Sequence, residues 1–241
     1  MMTETPLNET GDTDLAQFFC DRGPHCLILA RHGETEWNVE GRLQGQQDIP
    51  LNKRGQSQAL AAARFLRNVP LVQVYSSTLR RCRQTVRPIV ECNIGRPKVV
   101  YSDFLKETAL GVLEGESIDQ QSTDELTQHY WNFSSDEINY RVPNGENLRD
   151  VSDRVQRFFA EQRQLLKGPG SHLIVGHRNV NKMILKSLLG LSFEEGFRVE
   201  HEHQRLYFYF GAPKELWSCR VGDTSLRFTQ GYATTIDSSY A

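Results

Sequence analysis

Apolar and polar positions along the chain fall into two rhythms. Residues 26–30 (CLILA) and 172–175 (HLIV) are short unbroken apolar runs, the pattern of strands buried on both faces. Residues 71–75 alternate as a strand that ends in Ser76-Ser77, residues 98–101 read as another strand, and residues 205–210 as an aromatic one. Between these runs the spacing turns helical. Residues 55–66 have an Ala-rich face, residues 78–91 form a helix with a bend expected near Pro88, and residues 179–189 are helical by pattern. Residues 147–166 carry Leu148, Val151, Val155, Phe158, Phe159, Leu165 and Leu166 at helical intervals, and a short helix is expected over 15–21. Strands alternating with helices predict an α/β fold in three layers, a mostly parallel central sheet with helices on both faces.

In such a sheet, sites form beyond the carboxyl ends of the strands. Three of the predicted strands run into chemically capable residues: Arg31-His32, Ser76-Ser77 and Gly176-His177. Segments distant in sequence are therefore expected to meet on one edge. Residues 114–141 are the least regular stretch and predict a small cap, taken as 114–143. Residues 1–24 read as an N-terminal tail, solvated through residue 14, and residues 25–241 as a single domain.

Composition narrows the chemistry. The net charge of −2 supplies no overall field for nucleic acid or an anionic membrane, so an anion site must come from local clustering of Arg and His. Five scattered cysteines without CxxC spacing favour free thiols over a disulfide framework or a zinc site. No apolar run approaches the length of a membrane span, and the acidic, polar N-terminus lacks the form of a secretory signal. The expected compartment is the cytoplasm.

Candidate chemistry begins with Arg31-His32-Gly33-Glu34-Thr35-Glu36-Trp37-Asn38, directly after a buried strand. Neutral imidazole is a nucleophile at physiological pH and forms covalent intermediates, while the planar guanidinium of Arg31 suits bidentate phosphate contacts. Gly33 would let a ligand approach the main chain closely. Alone, this triplet also fits a strand-end His and Arg paired with surface carboxylates.

Further motifs follow in order. RHGETEWN, then Arg42-Leu43-Gln44-Gly45-Gln46-Gln47-Asp48-Ile49-Pro50-Leu51 with Gly55, resembles the histidine phosphatase superfamily, the phosphoglycerate-mutase-like group. Ser76-Ser77-Thr78-Leu79-Arg80-Arg81, Leu105-Lys106-Glu107 with Gly111 and Glu114-Gly115, Pro143-Asn144-Gly145-Glu146-Asn147, and Val175-Gly176-His177 are similar to its later motifs. The resemblance implies the phosphoglycerate-mutase-like fold and a set of roles. His32 would attack phosphorus, with Arg31, Arg81 and His177 neutralising phosphoryl oxygens and Glu107 protonating the leaving oxygen. Asn38, Gln44, Gly45 and Thr35 would face the substrate. The family register selects Arg81 from the Arg-rich helix start and leaves Arg80 and Arg83 toward solvent, with Cys82 as a packing residue.

Two departures from the family pattern stand out. Arg178 follows His177 where the family often has glycine, and it either lines the pocket to favour a second anionic group or points into solvent. Thr78 replaces a frequent acidic residue. His201 and His203 share one strand face, but two histidines without a third ligand do not define a metal site, and they read as polar loop-to-strand residues.

Phosphoryl transfer asks mainly for positioning and charge stabilisation, so neither a metal nor another cofactor is expected. The resemblance implies a phosphomonoester hydrolase acting on a small phosphorylated metabolite. The alternatives are a phosphoglycerate mutase and a non-catalytic module that binds phosphorylated ligands. Family mutases have a longer excursion after the acidic motif with paired arginines; residues 115–143 are short and hold Arg141 alone, which favours hydrolysis. No nucleic-acid or membrane partner is expected, and a homodimer is left open.

Overall fold

The computed structural model describes residues 15–23, 25–119, 121–166, 170–211, 214–222 and 226–234. Its strands are β1 (Cys26–Arg31), β2 (Leu71–Ser77), β3 (Lys98–Ser102), β4 (Ser171–Gly176), β5 (Arg205–Phe210), β6 (Glu215–Arg220) and β7 (Thr229–Gln230). They form one sheet in the order β3-β2-β4-β1-β5-β6-β7. The β3-β2-β4-β1 half is parallel, and β5, β6 and β7 extend it antiparallel. The helices are α1 (Leu15–Cys20), α2 (Glu36–Val39), α3 (Lys53–Leu66), α4 (Arg80–Cys92), α5 (Glu125–Ser135), α6 (Leu148–Glu161), α7 (Arg178–Leu189) and α8 (Phe193–Arg198).

Alternation along β1 explains the three layers. Side chains of successive strand residues point to opposite faces, so an unbroken apolar run needs a cover on each. Cys26, Ile28 and Ala30 pack with Ala63 and Leu66 of α3 and Cys82, Val86 and Ile89 of α4. Leu27 and Leu29 pack on the other face with Val151, Val155 and Phe158 of α6 and Val180, Met183 and Ile184 of α7. Each large apolar side chain fully buried in this way contributes ~1.5–3 kcal/mol. α1 closes the first layer: Phe18 is fully buried, stacks on Phe228 at 3.7 Å, and meets Phe208, Phe210 and Trp217 edge-on. The expectation for residues 1–14 lies outside the described residues.

Several boundaries shift for local reasons. α3 starts two residues earlier than its pattern, at Lys53, because the Asn52 side chain caps it by accepting the Gly55 N–H. α4 starts two residues later, at Arg80, whose N–H is taken by Asp48 Oδ1 at 2.6 Å; Pro88 lies inside this helix. The helix expected over 147–166 breaks at Gln162 (φ −101°, ψ 48°), and the chain continues as a 3-10 turn over Arg163–Leu166. β6 (ELWSCR) carried no separate sequence signal. Its partners are β5 and β7, and these antiparallel pairings make it a strand.

The capping segment has its own small core. Leu110, Leu113, Phe133 and Val142 are buried together, with Leu43, Leu126, Tyr130 and Tyr140 packed around them. The aromatics of α5 thus serve mainly local packing, although Trp131 remains exposed.

Candidate active site

The parallel half of the sheet delivers the predicted residues to one edge. β1 and β4 are neighbours in register Arg31↔Gly176, and the His32 N–H donates to the Gly176 carbonyl at 3.0 Å. The residues that follow the two strands therefore start side by side, and the His32 and His177 ring centroids lie 5.0 Å apart. β2, on the far side of β4, ends at Ser77, and the first turn of α4 adds Arg81. All three side chains that form the centre are withdrawn from solvent: His32 is 3% exposed, Arg81 1% and His177 0%.

Gly33 turns out to serve packing. A Cβ there would lie 2.4 Å from the Gly55 carbonyl oxygen, so the close approach is that of the α3 backbone. The Gly33 N–H donates to Thr85 Oγ1 on α4, which holds the turn after His32 in place.

Hydrogen bonds assign the protons on the rings. His32 Nδ1 lies 2.7 Å from the Gly33 carbonyl, which can only accept, so Nδ1 carries the hydrogen and Nε2 keeps its lone pair. Burial, reinforced by Arg81, His177, Arg31 and His203, holds the His32 pKa well below the usual imidazole range. The ring is therefore neutral at physiological pH. His177 accepts from Arg81 Nε at Nδ1 (3.2 Å) and donates from Nε2 to Ser77 Oγ (2.9 Å). Burial and the nearby Arg81, Arg154 and Arg31 keep it neutral too.

The arginines are held by backbone carbonyls. Arg81 Nη1 donates to the Gln47 carbonyl (2.6 Å) and Nη2 to that of Gly45 (2.8 Å). Arg31 Nη1 donates to the His201 carbonyl, while its Nε is buried without a hydrogen-bond partner among the described residues. Burial and the adjacent Arg178 and Arg81 push the Arg31 pKa down to about 10. Glu107 sits at the N-terminus of α7: the Asn179 N–H lies 3.2 and 3.3 Å from its two carboxylate oxygens, and the Thr108 N–H 3.0 Å from Oε1. This is the favoured place for an anionic group on a helix. Its carbonyl receives Arg154 Nη2, and Arg154 is paired with Glu146 at 2.9 Å.

The remaining predicted residues fall into different places. Thr35 is buried and forms a capping box for α2 with Asn38, whose Oδ1 takes both the Thr35 N–H and Oγ1–H. Gln44 and Gly45 lie in the loop that receives Arg81, and Gln44 Oε1 is buried without a hydrogen-bond partner among the described residues. Arg178 is half-buried at the start of α7, close enough to act electrostatically on Arg31, Glu137 and Lys182. Arg80 and Arg83 are exposed and Arg81 buried, the separation expected of successive helical residues.

His201 and His203 lie in the loop that leads into β5, as read, and not on one strand face, but both are drawn in against the site. His203 Nδ1–H donates to the His32 carbonyl at 2.7 Å, and its ring packs 5.3 Å from that of His32. His201 is fully buried, accepts from Asn181 Nδ2 at 3.1 Å and donates to the Arg205 carbonyl at 3.0 Å. Asn181 Nδ2 also donates to the Ala30 carbonyl, which ties α7 to the end of β1.

Two charged groups near the site, Glu137 and Lys182, belong to none of the sequence motifs. Glu137, contributed by the cap, is buried and accepts from Asn179 Nδ2 at 3.0 Å; burial raises its pKa. Lys182 is 1% exposed, donates to the Phe197 carbonyl, and is pushed down to about 7 by burial and Arg178. Of the two, only Lys182 had a hint in sequence, a charged residue one helical turn beyond Arg178 on an otherwise apolar face. Glu114, part of the acidic motif, accepts the Gln46 N–H at 2.8 Å and so holds the loop next to Gly45.

A buried neutral histidine beside two arginines, a second histidine and a carboxylate at a strand edge defines the class. The family model of the histidine phosphatase superfamily (branch 1) matches residues 27–215, and the chain belongs to that superfamily. It is 34% identical over 172 residues, 68% of this chain and 75% of the relative, to a probable phosphoglycerate mutase GpmB of Shigella dysenteriae serotype 1 (strain Sd197). Among solved structures it resembles the mycobacterial glucosyl-3-phosphoglycerate phosphatase (25% identity, TM-score 0.68, 87% of this chain and 98% of that one). It also resembles an Escherichia coli K-12 protein described as a putative alpha-ribazole-5'-P phosphatase (25% identity, TM-score 0.67, 89% and 100%).

Proposed function

We propose that this chain is a phosphomonoester hydrolase that passes the phosphoryl group through His32. The observation that carries the reading is the state of that ring: Nδ1–H is held by the Gly33 carbonyl, and burial among cations leaves Nε2 unprotonated. In the first step Nε2 forms a bond to phosphorus while the bond to the ester oxygen breaks, and that oxygen takes, by way of Glu107, the proton that a monoanionic phosphomonoester brings. In the second, water attacks the phosphohistidine, Glu107 takes the water's proton, and inorganic phosphate leaves with His32 restored. Arg31 and Arg81 stabilise the charge on the transferred oxygens. His177, held between Arg81 Nε and Ser77 Oγ, sets the plane of the Arg81 guanidinium beside the transferred group.

Arg178 adds positive charge next to Arg31, and Asn38 Nδ2, Thr35, Gln44 and Gly45 complete the proposed substrate contacts. The substrate class is a small phosphorylated metabolite, handled in the cytoplasm without nucleic acid or membrane and without a metal. The single domain proposed for residues 25–241 also takes in α1, whose Phe18 is buried in its core. A phosphoglycerate mutase, the probable activity for which the Shigella relative is named, is the alternative. Arg141, the lone arginine of residues 115–143, is ion-paired with Asp150, which leaves the cap without the paired arginines that family mutases carry there. The deciding experiment measures phosphate release from a panel of phosphomonoesters beside interconversion of 3- and 2-phosphoglycerate, with His32→Ala as control. Hydrolysis with negligible interconversion is expected; efficient interconversion with little phosphate release would replace this reading by the mutase.

A further inference from the structure

We infer that Glu114 is a positioning residue for phosphoryl transfer: its carboxylate fixes the loop whose carbonyls aim the Arg81 guanidinium, and ties that loop to the one carrying Glu107. The inference rests on the hydrolase reading above and adds a residue that makes no contact with the transferred group.

A guanidinium is a flat fork of five N–H groups, and its use at a phosphoryl site depends on how that plane is set. In Arg81, Nε is committed to His177, Nη1 to the Gln47 carbonyl and Nη2 to the Gly45 carbonyl. One N–H on each terminal nitrogen then remains for phosphoryl oxygens, and its direction follows from where the two carbonyls stand. Those carbonyls belong to an irregular loop after α2. Gly45 is in the left-handed region (φ 48°), and the Gln47 N–H closes back on the Gln44 carbonyl.

Glu114 organises this loop from the opposite side. Its Oε1 accepts the Gln46 N–H at 2.8 Å and the Leu110 N–H at 3.0 Å, while Oε2 accepts Gln47 Nε2 at 3.1 Å. One oxygen therefore joins the Arg81-bearing loop to the segment running on from Glu107. Gln46 repeats the link, donating from Nε2 to the Glu107 carbonyl at 3.0 Å. The fit around this carboxylate is close: a Cβ on Gly45 would stand 2.2 Å from Glu114 Oε1. Main-chain bonds between Leu43 and both Gly115 and Glu116 continue the seam, and Arg42 lies over the Trp37 ring. Proton donor and phosphate-binding arginine are thus set by one brace.

The brace depends on reach, because the two main-chain bonds need one well-placed oxygen. Glu114→Gln keeps that oxygen and drops the charge. Glu114→Asp keeps the charge and withdraws it by one methylene. Both variants are to be titrated with inorganic phosphate by calorimetry and assayed with p-nitrophenyl phosphate, with melting temperatures recorded. The Gln variant is expected within about threefold of wild type in phosphate affinity and kcat/KM, and the Asp variant about tenfold or more weaker in both. The reverse order, with Asp near wild type and Gln impaired, would overturn the inference and make the charge itself the requirement. Two variants both like wild type in phosphate affinity would overturn it as well. If the wild type binds phosphate but hydrolyses no phosphomonoester, the hydrolase reading fails, and the titrations still report on Glu114 and Arg81.

Discussion

Replacing Arg81 by lysine separates the charge of the site from its geometry. Arg81 is 1% exposed and reaches three acceptors with three different nitrogens: His177 Nδ1, the Gln47 carbonyl and the Gly45 carbonyl. An ammonium has its donors on one atom and cannot reproduce that spread, so at least two buried acceptors lose their partner. Each such orphan costs ~1–3 kcal/mol, which places the destabilisation at ~2–6 kcal/mol. In catalysis the lost fork resembles removal of a preorganised donor to developing charge, worth ~2.7–4 kcal/mol or a 10²–10³-fold fall in kcat. The assay pairs steady-state kinetics on p-nitrophenyl phosphate with urea denaturation. An Arg81→Lys enzyme within threefold of wild type in kcat/KM would refute the reasoning, because charge alone would then suffice.

Further outcomes test other parts of the account. Gly33→Ala, whose Cβ would stand 2.4 Å from the Gly55 carbonyl, should separate the turn after His32 from α3 and lower the melting temperature together with kcat; an unchanged melting curve would contradict the packing role. His172, at the opposite end of the sheet, is buried with neither ring nitrogen hydrogen-bonded among the described residues, so His172→Phe should stabilise the protein by ~1–3 kcal/mol without changing kcat; destabilisation at pH 7 would count against it. His201 and His203 are pushed down to about 3 by burial, with Arg31 adding to it, whereas the unfolded chain protonates near ~6.5. Between those values the unfolded chain binds protons that the native protein refuses. Stability from these groups is complete above ~6.5 and falls on acidification by ~1.4 kcal/mol per pH unit for each. Denaturation midpoints that stay flat from pH 7 to 4 would disagree.

The legible part of this protein is the part written in short range. The runs CLILA and HLIV define strands that need covers on both faces, and each runs into its histidine, so the convergence of Arg31, His32 and His177 followed from pattern and order. Arg81 was distinguishable from Arg80 and Arg83 only through its register in a motif. Burial could not be read from identity, since all three are arginines. Glu137, His201 and His203 were out of reach for a different reason. Their roles come from segments that meet only in the folded chain: Glu137 from the cap against α7, and His203 across to the His32 carbonyl, 171 positions away. The polar look of VEHEHQ concealed a fully buried His201 because its partners, Asn181 and the Arg205 carbonyl, satisfy both ring nitrogens. β6 was hidden likewise, its strand character belonging to its pairing with β5 and β7.

The central claim is that phosphorus becomes bonded to His32. The most direct test mixes the enzyme with a radiolabelled phosphomonoester that it hydrolyses, quenches in alkali within the first turnover, and maps the label by peptide analysis. An acid-labile, alkali-stable label on the peptide containing His32, absent from His32→Ala, is the predicted result. Turnover of that phosphomonoester with no label on this peptide, or with the label on His177, would contradict the account.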